Sequence, residues 1–228
     1  MMGKNDGSRQ LTVRVKSAKK RSLSSKLWLE RQLNDPYVAE AKRLGYRSRA
    51  AFKLEEIDKR YRILKPGMRI VDLGAAPGGW SQVAARKIGA EKGRGKLLAV
   101  DINEFEAVPG AQSMIIDFLD PEAPNRILEA MGGEADLVMS DMAAPSTGHS
   151  RTDHLKIMAL CEAALELAYD VLSPKGAFLA KVLQGGAEND LLSGMKRSFE
   201  TVRHVKPQAS RADSAELYVL ATGFRGRN

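Results

Sequence analysis

"VDLGAAPGGW", residues 71–80, sets a β-branched start and one acidic residue against three glycines and a proline. It continues a short aliphatic stretch, "RIVDL", and ends where a helical pattern begins. In a doubly wound sheet such a strand-to-helix turn lies at the carboxyl edge, beside the crevice where ligands bind. Gly74, Gly78 and Gly79 let the backbone pass close to a ligand, Pro77 stiffens the turn, and Asp72 can accept hydrogen bonds beside it. A cofactor is the expected neighbour.

Outward from this turn the chain alternates strand and helix signals. "KLLAVDI", "SMIIDF", "ADLVMSD" and "AFLAKVL" read as strands, with helical segments between most of them, the clearest over 153–172. Upstream, "SRAAFKLEEIDKRY" repeats Ala50, Leu54, Ile57 and Tyr61 at helical spacing, with Ser48 as its expected N-cap and "KPG" at 65–67 closing the region. "TVRHVKP" and "ELYVLATGF" follow one another across a short connection and read as an antiparallel pair. The expected fold is α/β: a doubly wound, mostly parallel sheet covered on both faces, with an antiparallel last strand.

Composition narrows the setting. The 228 residues suffice for one substantial domain, and Cys161, the lone cysteine, excludes an internal disulfide and any thiolate cluster. No apolar run approaches a membrane span and no secretory leader is evident, so a cytoplasmic protein without membrane contact is expected. Residues 1–26 hold eight basic side chains against Asp6 alone, which places +7 of the chain's net +8 in this arm. Its polar composition predicts a flexible tail suited to a polyanion, leaving 27–228 as a single domain.

"AVDI" brings Asp101 about twenty residues beyond the glycines, the spacing of a carboxylate that receives a ribose diol. Two ligand classes fit. A nicotinamide dinucleotide prefers G-x-G-x-x-G, whereas here the glycines stand at 74, 78 and 79 without the early pair. S-adenosylmethionine has no phosphate to cradle, and Asp101, Asp117 and the 74–79 loop can supply the polar groups and open backbone that it needs.

"GYRSRAAFKLEEI", "VDLGAAPGGWSQ", "MSDMA", "AKVLQG" and "ELYVLATG", in this order and spacing over residues 27 to 224, resemble the FtsJ/RrmJ family, that of ribosomal RNA large subunit methyltransferase E. The resemblance implies a Rossmann-like, S-adenosylmethionine-dependent enzyme that methylates the ribose 2′-oxygen of a uridine in the A-loop of large-subunit rRNA. It implies Gly78, Trp80, Asp101, Asp117 and Asp141 as cofactor-binding residues, and Lys53, Asp141, Lys181 and Glu216 as a catalytic set without a metal. A monomer acting on a pre-ribosomal or 50S particle is the expected partner arrangement. One departure stands out: Asp141 is followed by Met-Ala-Ala-Pro-Ser, where many family members have Met-Ala-Pro-Asn.

The chemistry asks for such a set. A ribose hydroxyl is a poor nucleophile, so the enzyme must align an in-line displacement and remove a proton. Free lysine titrates at about 10.4, but burial and a second cation disfavour its charged form. Lys181 is therefore the expected base, its pKa lowered by Lys53, which is expected to reach along the surface from its helix. Asp141 would hold the cofactor's positive end and a lysine, and Glu216 would orient a lysine or the ribose. Arg47, Arg49, Lys53, Arg60 and Arg62, with Arg203, Lys206 and Arg211, are expected to grip phosphates on either side of the active centre. His149 and His154 share no helical face and read as loop and cap residues; Cys161 reads as a buried small hydrophobe. Alternative readings are a 2′-O-methyltransferase for tRNA or a messenger cap, a non-catalytic RNA-binding assembly factor, and a dinucleotide oxidoreductase.

Overall fold

The computed structural model describes residues 23–144, 147–184, 188–211 and 214–227. The chain runs α1 (Leu23–Leu33), α2 (Pro36–Leu44), α3 (Ala50–Tyr61), β1 (Arg69–Leu73), α4 (Gly79–Ile88), β2 (Lys96–Asp101), β3 (Ala111–Ile115), α5 (Ala123–Met131), β4 (Ala135–Ser140), α6 (Ser150–Val171), β5 (Leu172–Leu183), α7 (Glu188–Ser198), β6 (Phe199–Val205) and β7 (Glu216–Phe224). Most of the basic arm lies outside the described residues, and 23–26 open α1. No helix among the described residues is long and apolar enough to cross a membrane.

The seven strands follow the order β3-β2-β1-β4-β5-β7-β6. β1 to β5 pair in parallel, and β7 runs antiparallel to both β5 and β6. The strand order reverses between β1 and β4, which fixes the crevice above their carboxyl ends. β1 is buried from Ile70 to Leu73, because α3 and α4 cover one face of the sheet while α5, α6 and α7 cover the other. Continuous aliphatic runs rather than alternation follow from that double cover.

Several boundaries differ from the sequence expectation. α3 begins after Arg49, which makes no side-chain cap, so Ser48 is not its N-cap. Ser48 instead packs against the glycine loop, where its Oγ would stand 2.3 Å from a Cβ at Gly79. α6 starts at Ser150, with Asp153 in its first turn accepting from the Thr147 N–H and hydroxyl. β3 stops at Ile115, leaving Asp117 in a turn closed by the Leu119 N–H on its Oδ1. His149 stands at the N-cap of α6 and His154 within that helix, while Cys161 is buried there with its thiol pushed up to about 12 by burial.

Candidate active site

Four elements deliver charged side chains to one point at the carboxyl edge. Asp141 follows β4, Lys181 lies near the end of β5, Glu216 starts β7, and α3 brings Lys53 across the top. The antiparallel register pairs Lys181 with Tyr218 and Leu183 with Glu216. Side chains alternate along a strand, so Glu216 and Tyr218 share the face that Lys181 occupies. Lys181 Nζ lies 2.8 Å from Asp141 Oδ1 and 3.6 Å from Glu216 Oε2, and it donates to the Asp141 carbonyl at 2.9 Å. Lys53 Nζ lies 2.8 Å from Glu216 Oε1 and 3.8 Å from Asp141 Oδ1.

Two ammonium and two carboxylate groups thus form a neutral network whose side chains are only 8–16% exposed. Lys53 is buried at 8% exposure rather than reaching along the surface as expected, because Phe52, Leu54 and Ile57 draw its helix into the core. The expected lowering of Lys181 is also overturned. Burial opposes its charge, but Asp141 and Glu216 outweigh burial and hold its pKa above the ordinary lysine value. Burial likewise opposes the Glu216 carboxylate, yet Lys53, Lys181 and the Ser210 hydroxyl bring it down to about 2. Tyr218 completes the network: its hydroxyl donates to Asp141 Oδ1 at 2.5 Å, and Lys53 Nζ stands 5.7 Å from its ring centre.

Beside this network, the glycine loop closes on the protein itself. A Cβ at Gly74 would meet Met142 at 2.2 Å, and one at Gly78 would meet Val108 at 2.7 Å, so neighbouring protein atoms require glycine at both positions. Arg47 straps the loop to the following segment through the carbonyls of Pro77, Glu106 and Ala107. Asp101 accepts from the Ala76 N–H and the Asn103 N–H, tying the loop to the end of β2. Trp80 is turned inward at 2% exposure, its indole N–H on the Ala50 carbonyl and its ring 5.6 Å from Tyr218, which leaves any cofactor contact to its main chain. Asp117 is exposed, away from the lysines. Beneath the loop, burial drives Asp72 up to about 7; its bond from Ser81 works downward, and the charges of Asp141 and Asp101 push it further up. Asp72 and Asp101 beside the loop, with Asp141 shared with the lysines, face one guanidinium, Arg47, that is already bound to main-chain carbonyls, a balance that suits a cationic ligand better than a pyrophosphate.

A cavity of about 330 Å³ opens from Lys53 and Glu216 toward Arg31, Arg49 and Arg211. Arg49 and Arg211 both bind Asp35, which also caps α2 through the Tyr37 N–H. Arg60 and Arg62 do not flank this centre: they stand at the far end of α3, toward the amino edge of the sheet. Sequence reading missed Tyr218, Ser210 and Asp35. Tyr218 was signalled by its two-residue offset from Glu216, and Asp35 by the Asp-Pro pair that starts α2.

Residues 46–224 match the FtsJ-like methyltransferase family. The chain is 66% identical to ribosomal RNA large subunit methyltransferase E of Xanthobacter autotrophicus, over 96% of this chain and 86% of that one. It is 63% identical to the protein of the same name from Paramagnetospirillum magneticum, over 98% and 93%. Among solved structures, a Plasmodium falciparum protein described as a ribosomal RNA methyltransferase superposes with a TM-score of 0.70 at 28% identity, over 80% of this chain and all of that one. The fibrillarin/Nop5p structure shares the fold alone, at 18% identity and a TM-score of 0.54, over 76% of this chain and 83% of that one.

Proposed function

Given that the chain belongs to the FtsJ-like methyltransferase family, we propose that it methylates the ribose 2′-oxygen of a uridine in the A-loop of large-subunit rRNA. The observation that carries this reading is the neutral cluster of Lys53, Asp141, Lys181 and Glu216, buried at the carboxyl edge beside the carboxyl groups of Asp72 and Asp101. S-adenosylmethionine, when bound, supplies a methyl group already activated on a sulfonium. Its positive charge and lack of phosphate suit Asp72, Asp101 and Asp141, with the main chain of 74–80 as the holding loop and Asp117 at its outer side.

The protein's own task is to position the hydroxyl and accept its proton. Lys53, fixed by Glu216, and Lys181, fixed by Asp141, can each contact the ribose oxygen without leaving their helix or strand. Lys181 is the proton acceptor. Because Asp141 and Glu216 keep it an ammonium at rest, only the deprotonated fraction is competent, and the rate should climb with pH into the alkaline range. The cavity beyond Lys53, with Arg31, Arg49 and Arg211 at its wall, admits an anionic RNA backbone next to that oxygen. A single-stranded loop nucleotide can be splayed into it more easily than a paired one.

Purified protein with S-adenosylmethionine, incubated with large-subunit particles or RNA from cells lacking it, tests the reading. Expected is one new 2′-O-methyl group in the A-loop, absent from the mutant cells and restored by the wild-type protein. Methylation of a base, of tRNA or of a messenger cap in place of that position would refute it.

A further inference from the structure

The sheet has a second edge, and its charge is unusual. Residues 59–69 and 86–96 carry ten basic side chains against Glu91, a net of +9 within 22 residues. Residues 27–228 as a whole hold only +1, so the rest of the domain is close to −8. The two segments meet physically: the Gly67 N–H donates to the Ile88 carbonyl, the Lys96 N–H donates to the Met68 carbonyl, and Arg94 packs over Gly89. Between them lies a groove of about 320 Å³ lined by Arg86, Lys87, Lys92 and Arg94, with Glu91 the one acid at its wall.

Helix dipoles account for part of this. Lys59, Arg60, Arg86 and Lys87 occupy the last turns of α3 and α4, where cations offset the negative helix end. Lys87 is further committed to Asp58 at 3.1 Å, and Arg86 to Tyr46. Of the other six, Arg62, Lys65, Arg69, Arg94 and Lys96 stand outside the helices and Lys92 ends a single 3-10 turn, Ala90–Lys92; all but Lys96 are exposed. Concentrating so many like charges costs self-repulsion that a bound polyanion would relieve.

We infer that this amino-edge face is a second docking surface for the phosphate backbone of the substrate RNA, separate from the target-nucleotide cavity. The inference rests on the RNA reading above. β2 runs from this edge at Lys96 to the other edge at Asp101, so its six residues separate the two edges by about 17 Å along the strands, and the cavity lies further across the sheet, beside β7. A short target hairpin seated in the cavity does not span that gap around the domain, whereas a long RNA does.

The test compares wild type with Lys92→Glu/Arg94→Glu, two exposed positions remote from the active centre, on a short A-loop hairpin, on deproteinised large-subunit RNA and on intact particles. Melting temperature and S-adenosylmethionine affinity confirm folding, and Lys92→Gln/Arg94→Gln replaces the reversal if it does not fold. Expected is unchanged kcat and unchanged affinity for the hairpin. Affinity for the long RNA should fall about tenfold, and its slope of log K against log salt should shrink by about 1.8, two phosphate contacts' worth. Wild-type affinity and slope on the long RNA would overturn the inference while leaving the methylation reading intact. So would equal losses on hairpin and long RNA, which mark diffuse steering, and a loss on particles alone, which marks a ribosomal protein as the partner. Absence of methylation by the wild type would strike the functional reading itself.

Discussion

Asp72→Asn should make the protein more stable and worse at holding its cofactor. Asp72 is 1% exposed, and burial raises its carboxyl from 3.8 to about 7 despite the 2.6 Å bond from Ser81. Below pH 3.8 it is neutral in the folded and unfolded chain alike and costs nothing. Between 3.8 and about 7 the unfolded chain ionises while the folded one keeps its proton, so each pH unit favours unfolding by about 1.4 kcal/mol. Above about 7 the penalty is constant at about 4 kcal/mol, a large share of an ordinary domain's stability. Asparagine is neutral throughout and can still accept the Ser81 hydroxyl. Urea unfolding from pH 4 to 8.5 should therefore give coincident curves in acid, diverging to a gain of about 4 kcal/mol for the variant at pH 8. Calorimetry at pH 8 should show weaker S-adenosylmethionine binding, since one of the three carboxyl groups proposed to face the cationic ligand is gone. A gain at pH 8 no larger than at pH 4 would refute the claim that Asp72 carries a desolvated charge.

Lys181→Ala should abolish methyl transfer in single-turnover assays with S-adenosylmethionine affinity nearly intact, and Lys181→Arg should not rescue it, because a guanidinium does not give up its proton. Glu216→Gln should lower the pKa of Lys181, moving the rising limb of the pH–rate profile to lower pH; an unmoved limb would remove Lys181 as the titrating base. The same substitution should cost about 3 kcal/mol at neutral pH, since the carboxyl titrates at about 2 folded against 4.5 unfolded, and that contribution should vanish in wild type as pH falls from 4.5 through about 2. Cys161 should resist thiol reagents in the native protein and react on unfolding, which peptide mapping would detect.

The sheet, its antiparallel last strand and the convergence of Lys53, Asp141, Lys181 and Glu216 were legible because strands buried on both faces leave long aliphatic runs, and because family motifs carry several residues together. Electrostatics were not legible. The sign of the Lys181 shift depends on carboxylates at 2.8 and 3.6 Å, and sequence order does not reveal whether a lysine's nearest charge is another lysine or an acid. The glycines were read as making room for a ligand, whereas Met142, Val108 and Ser48, distant in the chain, fill that room. Arg60 and Arg62 misled for a simpler reason: the seven helical steps from Lys53 to Arg60 carry the side chain about 10 Å along α3, away from the carboxyl edge. α2 was overlooked although Asp35, Pro36 and Gly45 are sound boundary signals, because its nine residues make only about two and a half turns in which to read a period.

β7 runs against its neighbours, so the residue beside the end of β5 is the first of its strand and not the last. The chain reaches Glu216 directly from the segment that carries Arg211 and Ser210, and the Ser210 hydroxyl holds Glu216 Oε1 at 2.7 Å. What is proposed to meet the RNA and what tunes the lysines are thus near neighbours in the covalent chain. Of the groups proposed to hold the cofactor, Asp72 and Asp101 sit apart, on β1 and at the end of β2, and only Asp141 is shared with the lysines. Such a layout lets substrate preference drift through changes in residues 206–215 while the methyl-donor side keeps its sequence, and it makes that segment the place to graft when retargeting the enzyme to another RNA.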